Sequence, residues 1–321
     1  MITLVHIDGL SGINYHRLIV PLRRLQSQGV NLHWIESLSE LKDINLDVVT
    51  SLIVSRKLSV TNHKKFSQML KSHGVKLILD NDDYWELPKD NPARKYYEKV
   101  ESKNVINTIK IADEIWTPSE YLANRIRRIM GTNSAEIRVI PNTVYEKEEQ
   151  WREPKKDDNP DKVVRFGFLG ANGHQEDLRI MGMTFEDYEL YCMALMDYPD
   201  MLKAKHKMEP LPIHQYGHLY RFFDVSLAPL KNTKFNRCKS ELKVVEAGYT
   251  KTAIIASNTG PYKTSIINGK TGILCNSPAE WRTAVKEMTL AKAEDMGNAL
   301  YEYCKENYNI HELNKQRIKG L

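Results

Sequence analysis

The sequence has few cysteines and no long apolar run. Four cysteines occur among 321 residues, all in the second half, and no two form a CxxC pair. This spacing argues against a disulfide framework and against a zinc site. No apolar stretch approaches the roughly 20 residues that a transmembrane helix needs, and the first residues lack the pattern of a signal peptide. We therefore expect a cytoplasmic protein without a membrane span.

Neither sign of charge dominates the sequence. The 46 Lys and Arg and the 41 Asp and Glu give a net charge of +5. Basic residues cluster at Arg125, Arg127 and Arg128 and again at 203–207. Such clusters are usually solvated helix faces, although they also suit polyanions. The charge pattern leaves both interpretations open, with DNA or an anionic lipid as the polyanion.

Two series of short apolar runs indicate two α/β domains. Helix-length segments with apolar residues three to four apart, such as 15–28 and 62–73, lie between the runs. This alternation is typical of βαβ units and a parallel sheet. The predicted strands are residues 2–7, 30–35, 48–55, 75–80, 114–118 and 137–141, followed by 163–170, 224–230, 252–257 and 271–275.

A polar stretch at 145–162 with two prolines separates the two series. We predict a first Rossmann-like domain over 1–150, a linker over 151–162, a second Rossmann-like domain over 163–300 and a helical tail over 301–321. The tail is long enough to cover a seam between the domains or to return to the first domain. Residues 178–212 lack a clear period, and we expect one strand there, near 189–194.

The loop after the first predicted strand contains Gly9 and Gly12. Open α/β sheets bind ligands beyond the carboxyl ends of their strands. Glycines at such a place let backbone N–H groups and a helix N-terminus approach an oxygen-rich ligand. The third glycine of a dinucleotide fingerprint is missing, so an ordinary strand-to-helix turn explains the loop equally well.

Residues 229–248 contain a second candidate. If a helix begins at Lys239 or Ser240, then Ser240, Lys243 and Glu246 recur every three residues along one edge. A lysine near a helix N-terminus can neutralise a diphosphate leaving group, and a glutamate can accept hydrogen bonds from ribose hydroxyls. The alternative is an exposed helix face with a Lys–Glu ion pair.

Three aspartates, Asp80, Asp82 and Asp83, follow the predicted strand 75–80. The D-x-D spacing after a strand can hold Mg²⁺ or Mn²⁺ against a diphosphate. One of these carboxylates can instead act as a base or position an acceptor hydroxyl. Helix capping is a further explanation, above all for Asp80.

Together these segments resemble the retaining glycosyltransferases of the GT-B type. The similarity rests on the Lys243–Glu246 helix with a following strand and a Gly260-Pro261-Tyr262 turn, and on residues 112–126 and 137–144. It is greatest to the phage and bacterial branch with Gly-x-x-x-His-x-x-Asp-Leu, here 170–178, and Phe-Asn-x-Cys-Lys-Ser, here 235–240. The resemblance covers most of the chain. It implies an α/β fold with two doubly wound domains facing a central cleft.

The resemblance also implies an activity and a set of site residues. It predicts transfer of a sugar from a nucleotide diphosphate donor, UDP- or GDP-linked, with retention and without a metal or other cofactor. His174, oriented by Asp177, would meet the diphosphate, although a structural role explains this histidine about equally well, and Asp82 or Asp83 would act on the acceptor. The donor site would comprise Asn172, Lys239, Ser240, Lys243, Glu246, Gly260, Pro261 and Tyr262. The acceptor side would comprise Gly9, Gly12, Tyr15, His16, Arg17, Tyr84 and Trp85.

Two departures from the family pattern keep other functions open. Cys238 stands eight positions before Glu246, where many members carry a glutamate, and residues 171–177 replace the usual Arg and Lys after the first strand of the second domain. The alternatives are a metal-dependent GT-A glycosyltransferase using Asp80 and Asp82, a nucleotide-sugar epimerase, and a non-catalytic binder of sugar or nucleic acid. The acceptor stays open between a glycan and a hydroxymethylated base of phage DNA, whose extruded ring would stack on Tyr15, Tyr84 or Trp85.

Overall fold

The chain folds into two units, each built on a parallel six-stranded sheet. The computed structural model describes residues 1–89, 91, 94–152, 156–170, 173–193 and 195–321. Unit 1 comprises Met1–Thr143, Arg237–Ser240 and Ile310–Leu321, and unit 2 comprises Val144–Asn236 and Glu241–Asn309. The α/β class with two Rossmann-like domains, predicted from the alternating apolar runs, is confirmed.

The strands of each sheet follow the predicted apolar runs closely. The strands are β1 (Ile2–His6), β2 (Leu32–Ile35), β3 (Val49–Ser55), β4 (Lys76–Asp80), β5 (Glu114–Thr117), β6 (Glu136–Val139), β7 (Arg165–Phe168), β8 (Glu189–Met193), β9 (His206–Met208), β10 (Val225–Ala228), β11 (Ala253–Ser257) and β12 (Ile273–Cys275). Strands such as β11 read as nearly continuous apolar runs, because helices cover both faces of a doubly wound sheet.

The α-helices connect the strands and cover the sheets. They are α1 (Gly12–Asn14), α2 (Val20–Gln26), α3 (His63–Ser72), α4 (Arg94–Lys99), α5 (Glu101–Ile109), α6 (Glu120–Ile129), α7 (Gln175–Arg179), α8 (Tyr198–Leu202), α9 (Lys234–Arg237), α10 (Leu242–Tyr249), α11 (Tyr262–Ser265), α12 (Pro278–Lys286), α13 (Leu290–Asn307) and α14 (Ile310–Ile318). A π-helical turn, Tyr15–Ile19, joins α1 to α2. Within the described ranges, none of the helices combines the length and apolarity required to cross a bilayer.

The sheet of unit 1 has the order β2-β1-β3-β4-β5-β6. Its direction of growth reverses between β1 and β3, and such a switch point is where doubly wound sheets bind ligands. A core cluster behind the sheet includes Val5, Leu18, Ile53 and Trp116, all buried. The loops after β1 and β3 are therefore the expected position of a ligand site in this unit.

The last helix of the chain packs in unit 1, which confirms the predicted return of the tail. Leu313 of α14 joins the unit 1 core, and the Asn314 Nδ2 donates a hydrogen bond to the Pro21 carbonyl at 2.9 Å. Arg138 NH1 donates to the carbonyl of Gln316 at 2.9 Å. Only α14 returns, because α13 runs to Asn307 within unit 2.

The sheet of unit 2 has the order β12-β11-β10-β7-β8-β9, with its switch point between β7 and β10. The segment 178–212 corrects the expectation of a single strand, because β9 and the short α8 follow β8 there. The sequence pattern did not indicate β9, because this strand has only three residues, His-Lys-Met. Helix α8 was missed because it has five residues and begins with Tyr-Pro.

The polar stretch between the two series of strands belongs to unit 2. Trp151 is buried in a unit 2 core cluster, and the Gly217 backbone N–H donates to Gln150 Oε1 at 2.9 Å. The side-chain nitrogen of Lys156 donates to the carbonyls of Tyr220 and Phe223. These contacts attach the segment to unit 2 although its sequence is highly polar.

Candidate functional site

The switch point of unit 2 is held together by the buried carboxylate of Asp177. Its Oδ1 accepts hydrogen bonds from the Lys231 backbone N–H and the Asn236 side chain, both at 2.8 Å. Its Oδ2 lies 2.7 Å from Nδ1 of His174. Asp177 therefore ties α7, which follows β7, to the segment after β10. Asp177 also orients the imidazole of His174, and this is the role predicted for Asp177.

His174 presents its other ring nitrogen at this switch point. The side chain is 22% exposed, and Nε2 has no hydrogen-bond partner among the residues described. With Nδ1 fixed by Asp177, Nε2 is the atom available to a ligand. Its position beyond the carboxyl end of β7 suits contact with a polar group of that ligand.

A second cluster in unit 2 surrounds Lys243 and Glu246 on α10. The two side chains lie on one edge of the helix, with Lys243 Nζ 3.4 Å from Glu246 Oε2. Tyr216 Oη lies 2.8 Å from the ammonium, and Tyr220 Oη donates to Glu246 Oε2 at 2.9 Å. Lys243 is 25% exposed, whereas Glu246 is 4% exposed. The lysine thus reaches solvent while the glutamate lies beneath it.

The electrostatics keep Lys243 charged at neutral pH. Burial lowers the pKa of the ammonium, but Tyr216 and Glu246 outweigh this effect and raise the pKa above its ordinary value. Burial raises the pKa of Tyr216 to about 12, so its phenol stays neutral. The cluster therefore pairs one fixed positive charge with the Glu246 carboxylate and neutral hydroxyls, and the part-exposed ammonium suits a diphosphate.

Tyr262 relates this cluster to the Asp177 network. Burial raises the pKa of the Tyr262 phenol, with Lys243 opposing the rise and Asp177 and Glu246 adding to it. Because the charges of both networks act on this one phenol, the two networks lie in the same region of unit 2. The residue follows Gly260, which has a positive φ of 55°, and Pro261, which caps α11.

The remaining donor candidates are placed differently from the prediction. Helix α10 begins at Leu242, so Lys239 and Ser240 precede it and belong to unit 1. Ser240 Oγ accepts a hydrogen bond from Asn142 Nδ2 at 2.8 Å. Cys238, at the position of the missing glutamate, is buried. Asn172 lies outside the described residues.

In unit 1, the glycine loop after β1 is fixed by Asn14. The Asn14 amide donates to the Gly9 carbonyl at 2.8 Å, and its Oδ1 accepts from the Ser55 hydroxyl at the end of β3. Ser11 caps α1, which begins at Gly12, and Gly9 has a φ of 77° that favours glycine. Asn14 thereby joins the two strands of the switch point, a role that the sequence pattern did not indicate.

The structure corrects the predicted positions of His16 and Arg17, because both side chains are buried rather than facing an acceptor. Arg17 donates from Nε and NH2 to the two carboxylate oxygens of Asp80, at 2.9 and 2.8 Å. Its NH1 also donates to Asn142 Oδ1 at 3.0 Å. Arg17 is therefore a positioning residue that holds Asp80 and Asn142 in place.

Asp82 and Asp83 meet Arg56, a residue that the sequence analysis missed. Arg56 follows β3, and its Nε and NH2 lie 3.5 Å from Asp82 and 3.7 Å from Asp83. The NH2 group also donates to Tyr97 Oη at 3.2 Å. Arg56 has a positive φ of 59°, which is uncommon outside glycine and tends to mark functional positions. The only signal in the sequence was its place directly after a strand.

The carboxyl of Asp82 has an unusually high pKa. Burial, with help from the charge of Asp83, raises its pKa to about 7, against the opposing effect of Arg56. A carboxyl with a pKa near neutrality can both accept and release a proton at physiological pH. The role of Asp82 as a base stays a prediction.

The aromatic residues predicted for the acceptor are mostly internal. Tyr84 and Trp85 are buried and pack against each other, with ring centroids 4.5 Å apart. Tyr15 is half-buried beside His16. Of the three rings, only Tyr15 is accessible enough to meet a ligand without rearrangement.

Comparison with known proteins shows the fold. No protein-family model matches the chain, and no curated protein matches its sequence. Sucrose-phosphate synthase from Thermosynechococcus elongatus matches with a TM-score of 0.69 at 13% identity, over 99% of this chain and 97% of that one. Anabaena HepE in complex with UDP matches with a TM-score of 0.62 at 11% identity, over 100% and 99%. A glycosyltransferase from Rickettsia africae matches with a TM-score of 0.60 at 13% identity, over 99% and 97%. The chain therefore has the GT-B fold.

Proposed function

We propose that the protein is a glycosyltransferase that moves a sugar from a nucleotide diphosphate donor to an acceptor hydroxyl. The observation that carries this proposal is the pair of Lys243 and Glu246, held by Tyr216 and Tyr220 in unit 2. The UDP complex of HepE, which has the same fold, supports a nucleotide sugar as donor. UDP- and GDP-linked sugars are the first donors to test.

In the proposed reaction, unit 2 binds the donor. The ammonium of Lys243 neutralises the charge that builds on the diphosphate as the bond from the sugar carbon to oxygen breaks. His174 Nε2 contacts the same group. Glu246 Oε2 already accepts a hydrogen bond from Tyr220. Oε1 is therefore the oxygen that accepts a hydrogen bond from a ribose hydroxyl.

The acceptor hydroxyl attacks the anomeric carbon from the face that the diphosphate leaves, which retains the configuration. A new carbon–oxygen bond forms, and the departing diphosphate oxygen on that face takes the hydroxyl proton. No protein nucleophile is needed, because orientation and charge stabilisation supply the rate enhancement. We assign Asp82 and Asp83 to the positioning of the acceptor hydroxyl, with Asp82 as an alternative proton acceptor.

The proposed chemistry uses no metal ion. Both carboxylate oxygens of Asp80 accept hydrogen bonds from Arg17, so Asp80 is not available as half of a D-x-D metal site. The positive charge of Lys243 takes the part that a divalent cation plays in metal-dependent enzymes. This pairing weighs against the GT-A alternative.

As the acceptor we propose either a hydroxymethylated base of phage DNA or a glycan hydroxyl. The test is mass spectrometry of purified protein incubated with nucleotide sugars and both kinds of acceptor. A product heavier by one sugar supports the proposal, and its anomeric configuration by NMR tests retention. Conversion of the donor without an acceptor would indicate an epimerase, and binding without turnover across the panel would indicate a non-catalytic binder.

The donor site is tested separately by calorimetry with UDP and GDP. Lys243→Met should weaken binding of the preferred nucleotide about 10- to 100-fold, the loss expected for a hydrogen bond to a charged group. Lys286→Met removes an exposed lysine of α12 in the same unit and should leave the affinity unchanged. Equal affinities for both variants would remove Lys243 from the donor site.

A further inference from the structure

One face of α6 in unit 1 carries a cluster of arginines. Leu122, Ala123 and Ile126 form the buried face of this helix. Most of the other side chains of the helix line a pocket of about 430 Å³. The lining residues are Tyr121, Asn124, Arg125, Arg127 and Arg128. We call these residues, together with Arg237, the arginine surface.

The ring of Tyr121 holds two guanidinium groups in place. The guanidinium carbons of Arg125 and Arg237 lie 5.1 and 5.4 Å from the ring centroid, within the range of a cation–π interaction. Arg125 NH2 also donates to Tyr121 Oη at 2.8 Å. Arg237 brings a charge from a distant part of the sequence, and its buried Nε has no hydrogen-bond partner in the part of the chain that the structure describes. The two arginines are therefore ordered before any ligand arrives.

The positive charge of this surface is largely uncompensated. Arg127 pairs with Glu120 at 3.3 Å, but among the described residues no carboxylate lies within ion-pair distance of Arg125, Arg128 or Arg237. Arg127 and Arg128 stand in the last turn of α6, where the helix dipole favours cations. That explanation does not extend to Arg125 or Arg237. Guanidinium groups match the oxygens of a phosphate, so an anion of this kind fits the surface.

We propose that the arginine surface binds the phosphodiester backbone of a nucleic acid. A membrane surface fits less well, because none of the large exposed apolar side chains of the described residues belongs to α6 or to α9, which contains Arg237. Tyr121 already contacts two guanidinium groups, so the surface contacts phosphates rather than stacking on bases. Such binding positions a nucleic acid without reading its sequence.

This inference deepens the proposed function where DNA is the acceptor, but its test is binding rather than sugar transfer. Fluorescence anisotropy with labelled duplex and single-stranded DNA of two unrelated sequences gives the affinity as a function of salt concentration. We expect similar affinities for the two sequences. Arg125→Gln/Arg128→Gln should weaken binding at least about tenfold at low salt and reduce the slope of log K against log salt by about 2. Arg237→Gln should reduce the slope of log K against log salt by about 1.

The control removes the same charge elsewhere in unit 1. Lys64→Gln/Lys65→Gln replaces two exposed lysines of α3 and should change the affinity less than twofold. Calorimetry with the nucleotide should show unchanged donor binding in every variant. This result would show that a variant with weaker DNA binding is still folded and still binds the donor. Absence of DNA binding in the unchanged protein, equal losses in test and control variants, or binding to phosphatidylserine vesicles instead of DNA would each overturn the proposal.

Discussion

Replacement of Asp82 by asparagine should make the protein more stable at pH 8 and leave its stability near pH 4 unchanged. The carboxyl is 7% exposed, and its pKa is raised from an ordinary 3.8 to about 7, first by burial and then by the charge of Asp83. Ionising this group in the folded protein is therefore unfavourable. Asparagine has nearly the same shape and no charge to desolvate.

The magnitude follows from the difference between the folded and unfolded pKa. Each unit of that difference corresponds to about 1.4 kcal/mol, so the full effect is roughly 4 kcal/mol as an upper limit. Below about pH 4, both states hold the proton and the carboxyl has no effect. Between about pH 4 and 7 the folded state keeps a proton that the unfolded chain has lost, so stability falls as pH rises. Above pH 7 the whole cost remains.

The assay is urea unfolding of both proteins from pH 5 to pH 8. The stability advantage of Asp82→Asn should grow from about 2 kcal/mol at pH 5 to about 4 kcal/mol at pH 8. Hydrogen exchange at the amides of β4 provides a readout confined to unit 1, which matters because two units need not unfold in one step. The exposed Asp43→Asn serves as control and should change stability by less than about 0.5 kcal/mol.

Two results would refute this reasoning. A difference that is the same at every pH would mean that Asp82 ionises as readily in the folded protein as in the unfolded chain. Destabilisation at pH 8 would mean that the attraction of Arg56 outweighs the cost of burial. In either case the role of Asp82 as a base with a pKa near neutrality would have to be withdrawn.

Two further predictions concern charged side chains, and a third concerns metal ions. Asp80→Asn should lower the free energy of unfolding by about 3–5 kcal/mol, because Arg17 would stay buried without its carboxylate; a loss below about 1 kcal/mol in urea unfolding would contradict this. Sugar transfer should survive excess EDTA, and activity that returns only with Mn²⁺ would favour the metal-dependent alternative. Burial lowers the pKa of Lys156 from 10.5 to about 7, so stability should rise from pH 7 to about pH 10 as the unfolded lysine loses its proton. Lys156→Met should abolish this rise, and an unchanged pH profile would count against a neutral Lys156.

Most of the fold was predictable from the sequence, because buried parallel strands read as continuous apolar runs. The ten predicted runs coincide with strands to within about two residues at most ends. Two elements that the sequence analysis missed in residues 178–212, β9 and α8, have only three and five residues. Their positions depend on neighbours in the sheet rather than on a local pattern.

The candidate sites were only partly predictable, because their partners come from distant segments. The three-residue spacing of Lys243 and Glu246 on one helix was visible in the sequence. Tyr216 and Tyr220, which hold that pair, lie in a 3₁₀ segment more than 20 residues earlier. Arg56 likewise reaches Asp82 and Asp83 from the neighbouring strand. No local periodicity could connect these residues.

Asp80 and Asp82 show why a spacing motif is weaker than it looks. A metal site of the D-x-D type needs both carboxylates ionised and directed at one cation. Here Asp80 ends β4 and is paired at both oxygens with Arg17, which in turn holds Asn142. Asp82 is buried beside Asp83, where burial favours its protonated form. Asp80 thus holds Arg17 inside unit 1, whereas Asp82, two residues later, has a pKa at which it can exchange a proton near neutral pH. The environment of each carboxyl, rather than the spacing, thus decides which of them can take part in chemistry.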